Sequence, residues 1–449
     1  MLLTIIYFLV TLAILVAVHE FGHFWVARRL GVKVLTFSIG FGRALWQRVD
    51  ASGTRYVLAA IPLGGYVRML DEREAKVPPD VAHQSFNRQP VWARALIMLA
   101  GPAANFLLAV LVYWLVFLAG VPGLKAIIGD VEPNSLAAHA GLFSGQEIVA
   151  IDGRAVRSRG EVNMALLRRI GDSGEIVIDT RINNSDVSNQ HTIAVRRWLA
   201  GEELQPPHRA LGLAYWQPEW PAVIDQLQPG EPAELGGLAS GDRLRLIDGV
   251  RIDDWQDAVE AISARPGQRV LVEFERAGEQ IARTLVLGSV QQADGSSMGR
   301  IGVSVAVPVM PDDMQVTVRY GPLAAVARAV SETWEMIAFT LDSIKKMLQG
   351  LVSTDNLSGP VTIAKIAGAS AESGLLSYLQ FLALISISLG VINLLPIPVL
   401  DGGQLLLLGF EAVAGKPLPE RIMLWAQQTG LLLIIGIMAL ALYNDFSRL

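Results

Sequence analysis

The sequence predicts a polytopic α-helical membrane protein with four transmembrane helices, a membrane-associated β-hairpin and two α/β domains between the second and third helices. Three observations support this fold class. Hydrophobic residues make up 52% of the 449 residues and charged residues only 18%, which is unusual for a wholly soluble protein. Four apolar segments are long enough to cross a bilayer. The region between the second and third segments contains an internal duplication.

The four apolar segments define the membrane part of the chain. They are residues 2 to about 30, 95–118, 377–395 and 424–442. The first and third carry polar residues within or beside the apolar run, as expected of helices that line a polar site. The N-terminus lacks the basic leader and small-residue cleavage site of a signal peptide, so the first segment is expected to be retained.

The distribution of basic residues predicts the orientation. Between Arg28 and Arg94 lie 11 Lys/Arg and 5 Asp/Glu residues, whereas the N-terminal tip has no basic residue. The positive-inside tendency therefore places this loop in the cytosol and the N-terminus outside. Four spans then put the C-terminus and the 122–376 region outside as well.

The outer region contains two copies of one pattern. Residues 128–153 and 224–249 match at ten of 26 positions without gaps, including Pro133 with Pro229. Each copy continues into a helix-like stretch, alternating strands and a short apolar strand with a glycine. The pattern resembles the circularly permuted PDZ domains of bacterial proteases, and PDZ domains bind a peptide as an added strand. Peptide binding and a rigid-spacer role are equal alternatives at this point.

The first apolar segment carries an H-E-x-x-H motif. Positions i and i+4 of a helix share one face, so His19 and His23 can bind one zinc ion while Glu20 addresses the water bound to it. Ionisable groups inside a membrane span are costly and rare. A metal site explains three of them within five residues better than a buried or interfacial histidine pair does. The chain has no cysteine, so a transition metal must use histidine and carboxylate ligands.

A third protein ligand is expected, because zinc hydrolases usually have three and leave a fourth position for water. The segment NLLPIPVLDGG at 393–403 presents Asp401 just after the third span. The first and third spans run in the same direction, so Asp401 and the histidines can meet at one depth. The alternative is a turn or N-cap role for Asp401, since Asp-Gly is a common turn pair. His83 lies in the polar cytosolic loop and is expected to be solvated.

Taken together, these motifs resemble the bacterial site-2 protease family of intramembrane zinc metalloproteases. The resemblance covers nearly the whole chain, through HEFGHF at 19–24, GPAANF at 101–106, the two PDZ-like repeats, NLSGPVTIAK at 356–365 and NLLPIPVLDGG at 393–403. It implies one zinc ion per chain, held by His19, His23 and Asp401, with Glu20 as the catalytic base. Gln404 departs from the family, in which histidine is often found there, but it lies outside the ligand set.

The resemblance also implies an activity and a location. The chain would be an endopeptidase of the bacterial inner membrane that cleaves single-span membrane proteins of the anti-sigma factor type after a prior cut, in envelope stress signalling. Remnant signal peptides are a further substrate class. The termini and both PDZ-like repeats would be periplasmic, and the active site would lie near the cytosolic side.

Partners and rival functions follow from the same features. Peptide C-termini or periplasmic regulators are candidate partners of the repeats, and the net charge of -5 gives no sign of nucleic-acid binding. One alternative function is a membrane-anchored tandem-PDZ adaptor with a non-catalytic metal site. Another is a zinc-dependent membrane enzyme that acts on a non-peptide substrate.

Asn393 and Asn105 are candidates for binding the substrate backbone or the oxyanion, with hydrogen bonding between packed helices as the alternative. Residues 32–39 and 55–67 alternate around a glycine-containing turn and predict the β-hairpin. In the family such a hairpin dips into the membrane beside the site, where it would pair with an extended substrate or act as a lid. Residues 322–348 predict an amphipathic helix that lies on the outer leaflet or packs on the repeats.

The expected division of the chain is 1–30 for span one with the metal motif, 31–94 for the β segment and loop, 95–121 for span two, 122–220 and 221–310 for the PDZ-like domains, 311–373 for the amphipathic linker region, 374–400 for span three and the Pro-rich loop, and 401–449 for the LDGG motif, a short helix and span four.

Overall fold

The computed structural model describes residues 2–74, 76–182, 187–201, 206–291, 296–305, 308, 310–416 and 418–447. Four of its helices are long and apolar enough to cross a membrane, as predicted. These spans one to four are Leu2–Arg29, Val91–Ala119, Leu375–Asn393 and Glu420–Ser447. Even the shortest, with 19 residues, rises about 28 Å and so nearly matches a hydrocarbon core of about 30 Å.

Spans one, two and three form the packed core of the membrane part. Leu15, Ala109, Val116, Ala383 and Ile387 belong to one cluster and are fully buried. Small side chains such as the two alanines allow helices to approach closely where lipid offers no hydrophobic drive for association. Span four is different, because only 6% of its apolar window is buried, against 39% for span three. Most of its surface is therefore left for lipid.

The predicted hairpin is present, but its first strand is longer than expected. Its strands are Val34–Val49 and Arg55–Met69. Phe37 pairs with both Val67 and Tyr56, so the two strands bend into four segments in the order 44–49, 55–59, 34–39 and 65–69. The reversal near residue 41 uses positive φ angles at Gly40 and Gly42, which glycine adopts without steric cost.

The duplicated region folds into two units with the same strand order. Each unit contains a four-stranded sheet. If the strands of that sheet are numbered along the chain, their order across the sheet is second, first, third and fourth. A final short strand then pairs back on the strand that opens the unit. Because the same topology arises twice from the similar stretches, the sequence duplication is also a structural one.

The first repeat consists of strands Ile128–Val131, Gln146–Ile151, Arg154–Ala155, Gly174–Ile182, Ser188–Val195 and Leu213–Tyr215, with helices Leu136–His139, Arg159–Leu167 and Pro207–Ala210. The second repeat consists of strands Ile224–Leu227, Arg243–Ile247, Val250–Arg251, Arg269–Arg276, Glu279–Val286, Gly288–Gln291, Ser297–Arg300 and Val303–Val305, with helices Pro232–Leu235 and Trp255–Ser263.

A connector joins the repeats to the membrane part. Strand Val121–Leu124 pairs with strand Gln315–Val318, so residues 122–124, expected in the first PDZ-like domain, lie in this connector. The predicted amphipathic helix follows as Pro322–Leu348, named the linker helix here. Its fully buried Ala325 and Ala329 pack in the cluster that contains span two.

The linker helix has two further faces. Its polar face pairs with the first repeat, through Arg168 to Glu335 at 2.7 Å and Lys346 to Asp172 at 2.7 Å. Its predicted apolar stripe is largely exposed, and Val330 for example is 52% exposed. Within the described ranges, every ion pair between a repeat and the linker helix involves the first repeat.

Two helices complete the fold. Helix Pro360–Glu372 follows the linker helix, and helix Asp401–Ala414, named the site helix, follows span three. Asp445 near the end of span four accepts hydrogen bonds from the backbone N–H groups of Gly359 at 3.0 Å and Val361 at 2.8 Å. The SGP part of NLSGPVTIAK therefore begins a helix that a distant carboxylate caps. Single 3₁₀ turns occur at Ala82–Gln84, Phe86–Arg88, Asp312–Met314 and Thr354–Asn356.

Candidate metal centre

The two histidines of the H-E-x-x-H motif lie on one face of span one. Their Nε2 atoms are 3.2 Å apart, as positions i and i+4 of a continuous helix allow. Gly22, between them in sequence, lies against span two, where an added Cβ would overlap the carbonyl of Ala100. Glycine at this position lets the two spans approach closely enough to bury the histidine face.

Asp401 reaches the same point from the other end of the chain. Its Oδ2 atom is 3.2 Å from Nε2 of His19 and 3.5 Å from Nε2 of His23. Zinc–ligand bonds of about 2.0–2.1 Å at tetrahedral angles place neighbouring ligand atoms roughly 3.3–3.4 Å apart. The three observed separations bracket that value, so the arrangement fits a tetrahedral ion with one position left open.

The surroundings of Asp401 argue against a turn or capping role. Asp401 is the first residue of the site helix, and Leu400 occupies the N-cap position. Among the described residues, the buried Oδ2 atom of Asp401 has no hydrogen-bond partner. A buried carboxylate oxygen without a donor is costly. A cation held between it and the two imidazoles would satisfy it.

The other ring nitrogens of the histidines face span two. Nδ1 of His23 is 2.7 Å from the backbone oxygen of Ile97, and Nδ1 of His19 is 3.2 Å from Nδ2 of Asn105. Gly101 lies between these contacts, and a Cβ there would overlap both histidine rings. The GPAANF stretch thus supplies the surface against which the histidines pack. The sequence indicated Asn105, but it carried no signal for a backbone acceptor such as Ile97.

The Glu20 side chain extends from span one toward the hairpin. A Cβ added to Gly65 would be 3.1 Å from Cγ of Glu20, and the backbone N–H of Val67 interacts with the Glu20 carboxylate. The hairpin segment 65–69 therefore runs directly beside the only acidic residue of span one within the described range. The sequence predicted the hairpin, but not which of its segments lies beside Glu20.

The remaining predicted residues fall in different places. Asn393 is the last residue of span three and is half-buried. Asn105 is fully buried and lies beside His19. His83 is exposed in its loop, as expected. Gln404 donates a hydrogen bond from Nε2 to the backbone oxygen of Pro398 at 2.9 Å and so braces the Pro-rich loop.

An ion pair that the sequence did not reveal holds the site helix. Arg94 of span two makes two contacts with the carboxylate of Glu411, at 3.0 and 2.5 Å. Its Nε donates to the backbone oxygen of Gln89 at 3.0 Å. The Arg94 and Glu411 side chains are only 9% and 16% exposed. This bidentate pair joins residues 317 positions apart in the sequence, which is why no local pattern indicated it.

Comparison with known proteins gives a family and close relatives. The sequence profile of peptidase family M50 matches residues 7–437. The chain is similar to Protease RseP of Yersinia pestis, with 46% identity over 98% of both chains. It is 43% identical to the regulator of sigma-E protease RseP of Escherichia coli K12 and 42% identical to a putative zinc metalloprotease of Vibrio cholerae, again over 98% of both chains.

Among solved structures, the chain is similar to the PDZ domain of an SdrC-like protein from Listeria monocytogenes. That match has 17% identity and a TM-score of 0.17, and it covers 20% of this chain and 93% of that domain.

Proposed function

Because this chain belongs to peptidase family M50 and is an intramembrane zinc metalloprotease of the site-2 type, we propose that His19, His23 and Asp401 hold its catalytic zinc, one ion per chain. The observation that supports this ligand set is the convergence of three ligand atoms within 4.8 Å of one another. One of them is a buried carboxylate oxygen that has no hydrogen-bond donor among the described residues.

Glu20 is the proposed catalytic base. When bound, zinc supplies an acidified water and polarises the scissile carbonyl. Glu20 follows His19 directly and lies beside both the ligand cluster and the hairpin, where it can take the water proton and pass it to the leaving amine. The His19, His23 and Asp401 side chains are only 11%, 8% and 17% exposed, and this burial strengthens each electrostatic interaction in the site.

The hairpin is the proposed docking strand for the substrate. A transmembrane helix hides its carbonyls in its own hydrogen bonds, so it must unwind before attack. Segment 65–69 is an edge of the hairpin sheet and also the segment nearest Glu20. An unwound substrate paired with this edge would therefore be delivered to the base. Segments 34–39 and 55–59 separate this edge from the opposite edge, 44–49.

Edge pairing can be tested with proline, which removes a backbone donor. We expect Met69→Pro, at the same edge but not at the N–H group that interacts with Glu20, to reduce cleavage of a model single-span substrate much more than Gln47→Pro does. Zinc content and thermal unfolding of both variants would show whether the site remains intact. Equal cleavage by the two variants would leave the hairpin as a lid only.

The proposed substrates are single-span membrane proteins of the anti-sigma factor type that another protease has already trimmed, with remnant signal peptides as a further class. The relatives named as regulators of sigma-E protease support the first class. The basic loop between Arg28 and Arg94 supports a cytosolic site and periplasmic repeats in the bacterial inner membrane. The absence of native cysteine allows a direct test. Glu279→Cys should react with an impermeant maleimide in spheroplasts, and Ser52→Cys should react only after lysis.

The two repeats are proposed to be PDZ-like and to exclude untrimmed substrates by size. A cavity of about 920 Å³ lies between the first repeat, the linker helix and spans two and three. Charged side chains from both sides line it, including Arg154, Glu161, Arg328 and Glu332. A bulky outer domain attached to a substrate would collide with the repeats at the entrance to this cavity.

The connector allows both repeats to be deleted without changing the membrane part, which tests the proposed size exclusion. Leu124 and Gln315 are paired neighbours, so a short turn can replace residues 125–314 and leave the strand pair intact. This variant should cleave full-length substrate as well as the trimmed form. If it still selected the trimmed form, the repeats would not be the filter.

The ligand and base assignments are tested together by Glu20→Gln. We expect the purified variant to retain one zinc ion per chain and to lose cleavage of a one-span substrate in detergent or liposomes. Asp401→Ala should lose both. Normal cleavage by Glu20→Gln would remove Glu20 as the base, and no cleavage by wild-type protein that holds zinc would favour an adaptor.

A further inference from the structure

The Asn105 side chain makes one hydrogen-bond contact beside the candidate metal centre and leaves its second polar atom without a partner among the described residues. The residue is 0% exposed, and its Nδ2 is 3.2 Å from Nδ1 of His19. Its Oδ1 is buried and has no partner among the residues that the structure describes. The oxygen and nitrogen of an amide are assigned from their partners, so the orientation of the Asn105 amide depends on which ring nitrogen of His19 carries the proton.

His19 has its Nε2 directed toward Asp401, at 3.2 Å. A histidine that ligates a metal through Nε2 carries its proton on Nδ1 and usually donates it to an acceptor. An amide NH₂ group facing that N–H would set two donors against each other. A half-turn of the Asn105 amide exchanges its oxygen and nitrogen without moving other atoms. The oxygen then accepts the His19 proton, and the amide nitrogen takes the buried position that has no partner among the described residues.

His23 shows the same arrangement with a fixed acceptor. Its Nδ1 faces the backbone oxygen of Ile97 at 2.7 Å, and a carbonyl oxygen can only accept. Both histidines therefore direct Nε2 to the ligand cluster and Nδ1 to span two. Asn105 is itself held in place, because its backbone oxygen accepts a hydrogen bond from Ser386 of span three at 2.7 Å.

We propose that Asn105 is a positioning residue whose Oδ1 accepts the Nδ1–H of His19 and keeps Nε2 of that ring directed at the zinc ion. This inference rests on the proposed ligand set. It gives Asn105 a role through His19 rather than a contact with the substrate or the oxyanion. It also explains the spacing in GPAANF, since Gly101 admits the histidine rings and Asn105, four residues later on the same helix face, supplies the acceptor.

The experiment compares zinc affinity in Asn105→Leu and Asn105→Asp. Leucine has a similar volume but no acceptor, whereas aspartate retains one. Loss of an outer-shell partner typically weakens metal binding about 10–100-fold. We expect that loss for Asn105→Leu in chelator competition, and affinity within a few-fold of wild type for Asn105→Asp. Thermal unfolding of the zinc-free proteins serves as a check on folding. Asn444→Leu, a matched change at a buried asparagine near the end of span four, should leave zinc affinity unchanged.

The outcomes separate this role from the ligand assignment. If Asn105→Leu binds zinc like wild type, or if Asn105→Asp loses as much affinity as Asn105→Leu, the positioning role is wrong. If His19→Ala and Asp401→Ala both retain wild-type zinc affinity, the ligand set itself is wrong. Loss in the ligand variants together with no loss in Asn105→Leu would remove Asn105 alone.

Discussion

The two halves of the candidate metal site are held in different ways. His19 and His23 come from one uninterrupted helix, and each has its second ring nitrogen in contact with span two. Asp401 comes from a separate helix, and its Oδ2 has no hydrogen bond among the described residues. The histidine half is thus fixed by direct contacts. The carboxylate half depends on where packing places the site helix.

Packing of the site helix rests on two features. At its start, a Cβ on Gly402 or Gly403 would overlap the backbone of the preceding Pro-rich loop, so the helix is seated closely on that loop. Near its end, Glu411 forms the buried ion pair with Arg94. The Asp401 carboxylate should therefore be displaced by changes far from it, whereas the histidines should resist such changes.

The largest effects should come from removing ligands, and they should differ between the halves in the zinc-free protein. Zinc binds to structural sites in proteins with a free energy of roughly 10–16 kcal/mol, and one of four ligands contributes about one quarter of that. We therefore expect His23→Ala or Asp401→Ala to lower zinc affinity about 10²–10³-fold. Without zinc, His23→Ala should lower stability by about 0.5–1.5 kcal/mol through loss of the Ile97 hydrogen bond. Asp401→Ala should lower it by less than His23→Ala does, because its Oδ2 atom has no hydrogen bond to lose among the described residues.

Chelator competition and thermal unfolding in detergent, with and without zinc, would measure these differences. A clear destabilisation of the zinc-free protein by Asp401→Ala would contradict this difference between the two halves, since it would show that the carboxylate is held by contacts of its own.

The next effect should come from the glycines under the site helix. Gly402→Ala must displace the helix or the loop, because the new Cβ would meet the backbone of Leu394 and Leu395. We expect zinc affinity to fall about 10-fold or more, comparable to loss of an outer-shell contact. Gly409 lies in the same helix with open space beside it. Gly409→Ala should instead stabilise the protein by about 0.5–1 kcal/mol and leave zinc affinity unchanged, as thermal unfolding and chelator competition would show.

The smallest of the three effects on zinc should come from the Arg94–Glu411 pair. Arg94→Ala and Glu411→Ala should each lower zinc affinity a few-fold, and the double variant should cost less than the sum of the two. A coupling free energy of about 0.5–3 kcal/mol is expected from a double-mutant cycle on thermal stability. The exposed pair Arg88 and Glu72 is the control and should show weak coupling. Additive effects at Arg94 and Glu411 would mean that the pair does not hold the site helix.

Much of the fold followed from patterns within short segments. Four apolar runs gave the four spans, because length and apolarity alone decide whether a helix can cross a bilayer. The duplicated stretch gave two units of equal topology. The bent strand order of the hairpin was not predicted, since it depends on glycine conformations that place Phe37 between two partners. Bounds also shifted where a strand pairs with a distant one, as at Val121–Leu124.

The site was predictable to a different degree in its parts. The H-E-x-x-H motif spans only five residues, so helical spacing alone brings His19, Glu20 and His23 together. The position of Asp401 beside the histidines depends on the topology of the spans, because its own segment is equally compatible with a turn. The contacts of Ile97 and Asn105 depend on how span two is rotated against span one. No spacing within a single segment encodes that rotation.

The distance along the chain between the two halves has a consequence for biosynthesis. His23 and Asp401 are separated by 378 positions, and at about 5–20 residues per second roughly 20–75 s pass between their syntheses. During that interval the inserted first helix carries its imidazoles without the carboxylate that completes the cluster. On the proposed ligand set, a nascent or prematurely terminated chain would therefore stay inert toward neighbouring proteins, and hydrolytic competence would arise only once the polypeptide is nearly finished.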